Sequence, residues 1–427
     1  MAVDWDQARV LALAPDASSQ RAALPLATDR SWLLTGFAGP GALWGECRGY
    51  RVAADLSGPA YKCSCPSRKI PCKHALALLL LWAGGGVGPG TAPDWAATWF
   101  GARAAKAAAA QPADPADPAA AERRAGQRAA RVASGLDELD QWLRDQVRQG
   151  LAATPRTGYR HWDTIAARMV DAQASGLADW LRSLAAVPHS GGGWESRLLE
   201  EYALLRLLAT AYRRRDALPP ALADTVRSRI GFTVRQADVL ADGEHVTGRW
   251  LVLARRDLER ERIRTRRTWL REVATGRHAL VLSFAAPGES FDSSMTVGTE
   301  AGLELAFYPG VLPLRALVVS GGAAARAEPP AGDSVTGLLA GFARALGQDP
   351  WLDAWPAVLA SVTPVRSPAP GLAGADGAAL PLHPMAGDCW PLLALSGGAP
   401  LTVAGEWTSR GLWPLTAWDD SERAVRL

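Results

Sequence analysis

Three of the chain's five cysteines and one of its six histidines fall within twelve positions, in the stretch YKCSCPSRKIPCKHALALLLLW from Tyr61 to Trp82. The spacing is C-x-C-x6-C-x-H, with Cys63, Cys65, Cys72 and His74 at the ligand positions. Three thiolates and an imidazole make a closed tetrahedral set suited to one zinc ion. They leave no position open for water, so the implied site is structural. An iron-sulfur cluster is the alternative that the donor set leaves open. A chance cluster of small core cysteines and a core histidine is the bland reading, and the scarcity of both residue types elsewhere argues against it.

Disulfides are not expected. A single residue separates Cys63 from Cys65, and the opening MAVDWDQARVLALAPD has no secretory pattern, so the expected compartment is the reducing cytoplasm. The run ALALLLLWA falls well short of the roughly eighteen apolar residues that cross a bilayer, and no membrane association is expected. Cys47, in LWGECRGY, could be put forward as a further ligand, but the set is already full and a strand cysteine is the better reading. Cys389 reads as a small core residue.

The elements that must position the four ligands are short. YRVAADLSGPAYKCSC reads as a strand, a turn at Gly58-Pro59 and a second strand that delivers Cys63 and Cys65. PSRK turns the chain, and Pro71 suits the first turn of a helix carrying Cys72 and His74. The expected unit is a ββα finger pinned at its corner by metal.

A motif of this kind, after a hairpin and before an apolar helix, resembles the SWIM zinc finger, with its C-x-C-xn-C-x-H pattern; the match covers the core 61–82. More loosely, VLALAPDASS, ALWGEC and DLSGPAYKCSCPSRKIPCKHALALLLL make the chain similar to a bacterial group of SWIM zinc finger proteins. The resemblance implies zinc on Cys63, Cys65, Cys72 and His74. It also implies a role in DNA binding or protein–protein interaction, and in bacteria a neighbourhood of AAA+ ATPase systems.

The finger's own residues favour a protein partner. A helix that reads bases needs polar side chains facing the major groove, whereas Ala75 to Trp82 is apolar nearly all round and is expected to be buried on several sides. The candidate nucleic-acid contacts are Lys62, Arg68, Lys69 and Lys73, which ring the metal and include three of the chain's four lysines. Their first role is to offset the net negative charge of a zinc ion bound by three thiolates. Their second would be phosphate contact, salt-sensitive and with little sequence preference. RIRTRRTWLR, from Arg262 to Arg271, is the one purely basic run, and Trp269 within it could stack on a base. A formal net charge of +3 over 427 residues is far from that of a dedicated nucleic-acid coat.

The whole chain reads as a multidomain α+β protein, 48% hydrophobic and able to bury several cores. Residues 1–92 form the N-terminal finger domain. Residues 93–121 hold an alanine-rich helix from Asp94 to Ala110 and the Pro/Ala linker QPADPADPAAAERR, and WAGGGVGPGTAPDW before them reads as a flexible hinge. In 122–229, Leu136, Leu139, Trp142, Leu143, Val147 and Leu151 share one helical face, and later amphipathic runs complete a helical bundle. Residues 230–427 are a β-rich α+β region with strand-like runs such as GRWLVLARR, RHALVLSFA, GLELAFYPG and LRALVVSGG. A helix follows at DSVTGLLAGFARALG, then further strand-like pieces at CWPLLALSGG, PLTVAGEW and LWPLTAW.

Enzymatic signatures are absent. The four lysines precede Cys, Ile, His and Ala, so no Gly-Lys-Ser/Thr phosphate loop exists, and neither H-E-x-x-H nor G-x-S-x-G occurs. A His383–Cys389 pair needs no catalytic explanation. The expectation is a non-catalytic, zinc-binding accessory protein that docks a protein partner, with no small-molecule substrate evident. Low-specificity DNA binding through the basic rim is the alternative.

Overall fold

The computed structural model describes residues 7–14, 17–39, 41–56, 60–67, 69, 71–109, 118–156, 158–260, 263–286, 291, 295–367, 369–419 and 421–427. The chain divides into two compact units. The first comprises residues 1–112, 255–268 and 282–296, and the second 113–254, 269–281 and 297–427.

In the first unit, α1 (Gln7–Ala12) and α2 (Ala17–Ala23) precede an antiparallel four-stranded meander of β1 (Trp32–Ala38), β2 (Ala42–Cys47), β3 (Tyr50–Asp55) and β4 (Ala60–Cys63). Helix α3 (Lys73–Ala83) follows and then α4 (Asp94–Ala109). Every residue of α3 from His74 to Leu81 is buried, packed by α1, α2, β2, β3 and β4. A helix apolar on all sides can be stable only in such surroundings.

The β3–β4 pair is the expected hairpin, although its Gly58-Pro59 turn lies outside the described residues. Helix α3 differs from expectation at its start: it begins at Lys73, and Cys72, in extended conformation, is its N-cap.

The glycine-rich segment after α3 is not a free hinge. The Phe37 amide donates to the Gly88 carbonyl and the Gly90 amide to the Phe37 carbonyl, both at 3.0 Å, so the backbone lies alongside β1. Helix α4 is tied in as well, through Arg103 to Asp55 at 3.0 Å and Phe100 edge-on to Trp44. Ala110 to Asp117, most of the proposed linker, lie outside the described residues.

The second unit opens with α5 (Pro118–Gln149), which starts inside the stretch read as linker and has Pro118 as its first residue, where a missing amide costs nothing. Helices α6 (Gly158–Asp171), α7 (Ser175–Leu184), α8 (Trp194–Arg213) and α9 (Pro220–Ile230) complete the bundle. Leu136, Leu139 and Leu143 fill its core with Trp162, Leu181 and Leu205, whereas Val147 at the end of the same stripe is exposed.

The ends of α7 and α9 approach closely. A Cβ on Gly176 would lie 2.3 Å from the Arg229 carbonyl oxygen, and Gly231, at φ +116°, caps α9 in left-handed conformation. We expect Gly176→Ala to cost about 1–3 kcal/mol as backbone is pushed apart, read as a lower melting temperature of the bundle; an unchanged melt would mean the helices can separate freely.

After α10 (Gln236–Asp242) come β5 (Glu244–Arg260), β6 (Ile263–Glu272), β7 (His278–Ala285), β8 (Thr299–Phe307), β9 (Arg315–Gly321) and β10 (Ala325–Arg326), in the order β10-β8-β5-β6-β7-β9. Strand β9 pairs in parallel with β7 and antiparallel with β8, so five strands close on themselves and leave few free edges. Helix α11 (Val335–Gln348) then packs on a second six-stranded sheet. Its strands are β11 (Trp355–Val365), β12 (Gly371–Ala373), β13 (Ala379–Pro381), β14 (Leu401–Thr408), β15 (Gly411–Trp418) and β16 (Ala424–Arg426), in the order β13-β12-β11-β14-β15-β16. The CWPLLALSGG piece, expected as strand, is instead α12 (Trp390–Ser396), with Pro391 in its first turn and Gly397 closing it at φ +60°. Trp351 enters the bundle core and its indole N–H donates to the Leu204 carbonyl at 3.1 Å.

The protein is therefore a multidomain α+β chain with an N-terminal ββα finger, a middle helical bundle and a β-rich C-terminal region.

Candidate metal centre

Strand β4 ends on Cys63, Cys65 follows two residues later, and Cys72 and His74 come from the start of α3. The hairpin and the helix therefore each contribute two donors. The four ligand atoms lie within 4.8 Å of one another. Cys63 Sγ stands 3.7 Å from His74 Nδ1, close to the edge of roughly 3.6 Å expected of a tetrahedron with zinc–sulfur and zinc–nitrogen bonds of standard length.

The protonation states suit a metal. A hydrogen bond from the Cys63 thiol holds Cys72 at about 5 against the opposing effect of burial, and amides in the first turn of α3 add to the lowering. Cys63 is raised by the same interaction. Burial keeps His74 neutral by lowering its pKa. At neutral pH the centre thus offers a ready thiolate and a neutral imidazole, the forms that metal binding requires.

Two neighbours went unnoticed in the sequence. Residues Arg48 and Gly49 join β2 to β3 in a two-residue turn with φ +49° and +79°, both positive as a type I′ hairpin demands. The turn places the Arg48 charge near enough to add to the lowering of the His74 pKa that burial begins, and to oppose the burial that raises the Cys47 pKa. Tyr50 lays its ring against His74, centroids 4.9 Å apart. The signal that could have found both is the Arg-Gly pair between two alternating strands just ahead of the motif. Cys47 is fully buried on β2 and is not in the ligand cluster.

Lys62, Lys69 and Lys73 are exposed around the centre. Lys73 joins Arg48 in the electrostatics of His74, as a charge-offsetting cation should. Lys69 Nζ donates to Ser18 Oγ at 3.2 Å. Arg68 lies outside the described residues.

In the second basic candidate the aromatic residue is not available for stacking. Trp269 is buried, with its indole N–H on Glu406 Oε1 at 2.8 Å, because the residues on either side belong to a strand that packs into a core; it cannot stack on a base. Arg266 pairs with Asp257 through two hydrogen bonds and lies over the Phe291 ring. His383 and Cys389 are not a pair either: His383 Nδ1 accepts from the Met385 amide, and the Cys389 thiol donates to the Val365 carbonyl at 3.5 Å.

A zinc ion on the four residues would cross-link the hairpin to the start of α3 and leave no open coordination position. A family model for the SWIM zinc finger matches residues 50–83, and one for the SWIM-associated four-helix bundle domain matches residues 127–230. None of the curated proteins or solved structures matches significantly. No helix among the described residues is long and apolar enough to cross a membrane. Ligand spacing, cluster geometry and both family models agree: the chain carries a SWIM zinc finger, whose four donors are arranged to hold one metal ion and fit a single zinc, and a SWIM-associated four-helix bundle after it in the sequence.

Proposed function

We propose that this chain is a non-catalytic accessory protein of the reducing cytoplasm that uses its zinc for architecture and docks a protein partner. The observation that carries the reading is the burial of α3 from His74 to Leu81: these eight residues are spent on the finger's own core, so none of their side chains is free to read base edges. The engagement of Trp269 by Glu406 and of Arg266 by Asp257 supports the same reading. An ATPase assembly of the AAA+ kind is the first partner class to test, because the chain has no phosphate-loop lysine of its own.

The exposed Lys62, Lys69 and Lys73 favour a second reading, contact with nucleic-acid phosphates. A mobility-shift titration over salt separates the two. The docking reading expects no shift even at low salt. A shift that weakens steeply with salt, and weakens further in Lys62→Gln and Lys69→Gln, would replace it with phosphate contact of low sequence preference.

A further inference from the structure

Resting on that docking reading, we infer that the trough between α5 and α8 is the docking surface, and that its occupant is a short amphipathic helix of a partner protein with carboxylates along its flanks. On their inner sides both helices fill the bundle core. On the outer side, Leu143 and Val147 face Leu199, Ala203 and Leu207 across a groove of about 660 Å³. Val147, Leu199 and Leu207 are 54%, 49% and 45% exposed, a contiguous apolar strip where a solvated bundle should be polar.

The dimensions suit a helix. From Leu199 to Thr210 the trough runs about 16 Å along α8, or three turns of an occupant lying alongside. Apolar side chains at i, i+4 and i+7 of such a segment would meet the strip, the recurrent helix-in-groove arrangement.

The charges choose the occupant's flanks. Three arginines line the groove, Arg144, Arg148 and Arg206, and no acidic side chain does. Asp140, buried beneath, bonds Arg144 at 2.6 Å and lies 3.3 Å from Arg206, so one carboxylate anchors two guanidiniums; Arg148 lies 3.6 Å from Asp145 of the same helix, which leaves one positive charge in excess at the rim. Tyr202, packed in the bundle core against Trp142 and Trp162, forms part of the groove's floor. An apolar floor with a basic rim does not suit nucleic acid, whose outward face is uniformly anionic.

The test is display selection of helix-forming peptides on the full-length, zinc-loaded chain. The expected outcome is an enriched family with apolar residues at helical spacing and Asp or Glu beside them, bound at least tenfold more weakly by Leu207→Glu. Arg148→Glu should weaken it severalfold, and that loss should shrink as salt rises. Both residues are exposed, and thermal melts check that both variants stay folded; should Leu207→Glu unfold, Leu199→Gln takes its place. No enriched family, a basic family, or peptides that bind the variants as well as the wild type would overturn the inference. A concentration-dependent dimer in sedimentation that Leu207→Glu abolishes would also overturn it, by making a second copy of this chain the occupant. A partner from native extract retained equally by the wild type and Leu207→Glu would overturn the groove and leave the docking reading standing. A chain that shifts nucleic acid and retains no protein takes down both.

Discussion

Cys72→Ser is expected to empty the metal centre and unfold the first unit while the bundle survives. Cys72 is the donor on which the others depend: it is buried, caps α3, and carries the thiolate that Cys63 and the first-turn amides stabilise. A serine oxygen is harder and far less readily ionised, so the substitution removes one of four ligands and the charge that holds the cation. Structural zinc supplies on the order of 10 kcal/mol to a small domain, more than most domains have in reserve. The bundle's core is built from residues between Val132 and Ile230, with Trp351, and contains no ligand. Elemental analysis should find one zinc per chain in the wild type and none in the variant, and calorimetry should lose one transition and keep the bundle's. Iron in the wild-type protein, or metal retained at full occupancy by Cys72→Ser, would end the structural-zinc account.

What was legible in the sequence is what short-range chemistry dictates. Metal ligation demands particular side chains at particular spacings, so Cys63, Cys65, Cys72 and His74 could be named directly. The stripe from Leu136 to Leu143 announced α5 because a helix repeats its buried face every three or four residues. What was hidden depends on partners distant in sequence. GGGVGPG has the composition of a hinge, and only the amide and carbonyl of Phe37, some fifty residues earlier, convert it into a paired strand edge. Trp269 sits in a basic run, and its fate is set by Glu406 on β14. The short apolar run at Trp390 carries too few residues for either periodicity to declare itself, and Pro391 in the first turn decided for helix. The closure of β9 onto both β7 and β8 involves two non-local pairings that no local pattern encodes. Arg48 was missed for the opposite reason: its signal was local, but small beside that of the cysteines.

Leu79→Ala is expected to cost about 2–5 kcal/mol, as the truncation of a fully buried leucine does when its surroundings cannot collapse. Leu79 has no exposed surface and sits mid-helix in α3, among the buried leucines Leu76, Leu78 and Leu80. Because the same helix begins with two zinc ligands, the loss should reach the metal: folding and metal binding are one equilibrium here, and a destabilised core lowers the apparent zinc affinity without touching a ligand. Thermal melts at fixed zinc should therefore shift downward, and a chelator competition should strip the variant at lower chelator concentration than the wild type. Leu207→Glu should behave in the opposite way, leaving the melt and the metal unchanged and removing the partner. Were Leu79→Ala to keep wild-type stability and zinc affinity and yet lose partner binding, α3 would be the interface and not the core. The two leucines thus test one claim from both ends: in this protein the finger's helix is consumed in holding the fold, and recognition has moved to the bundle.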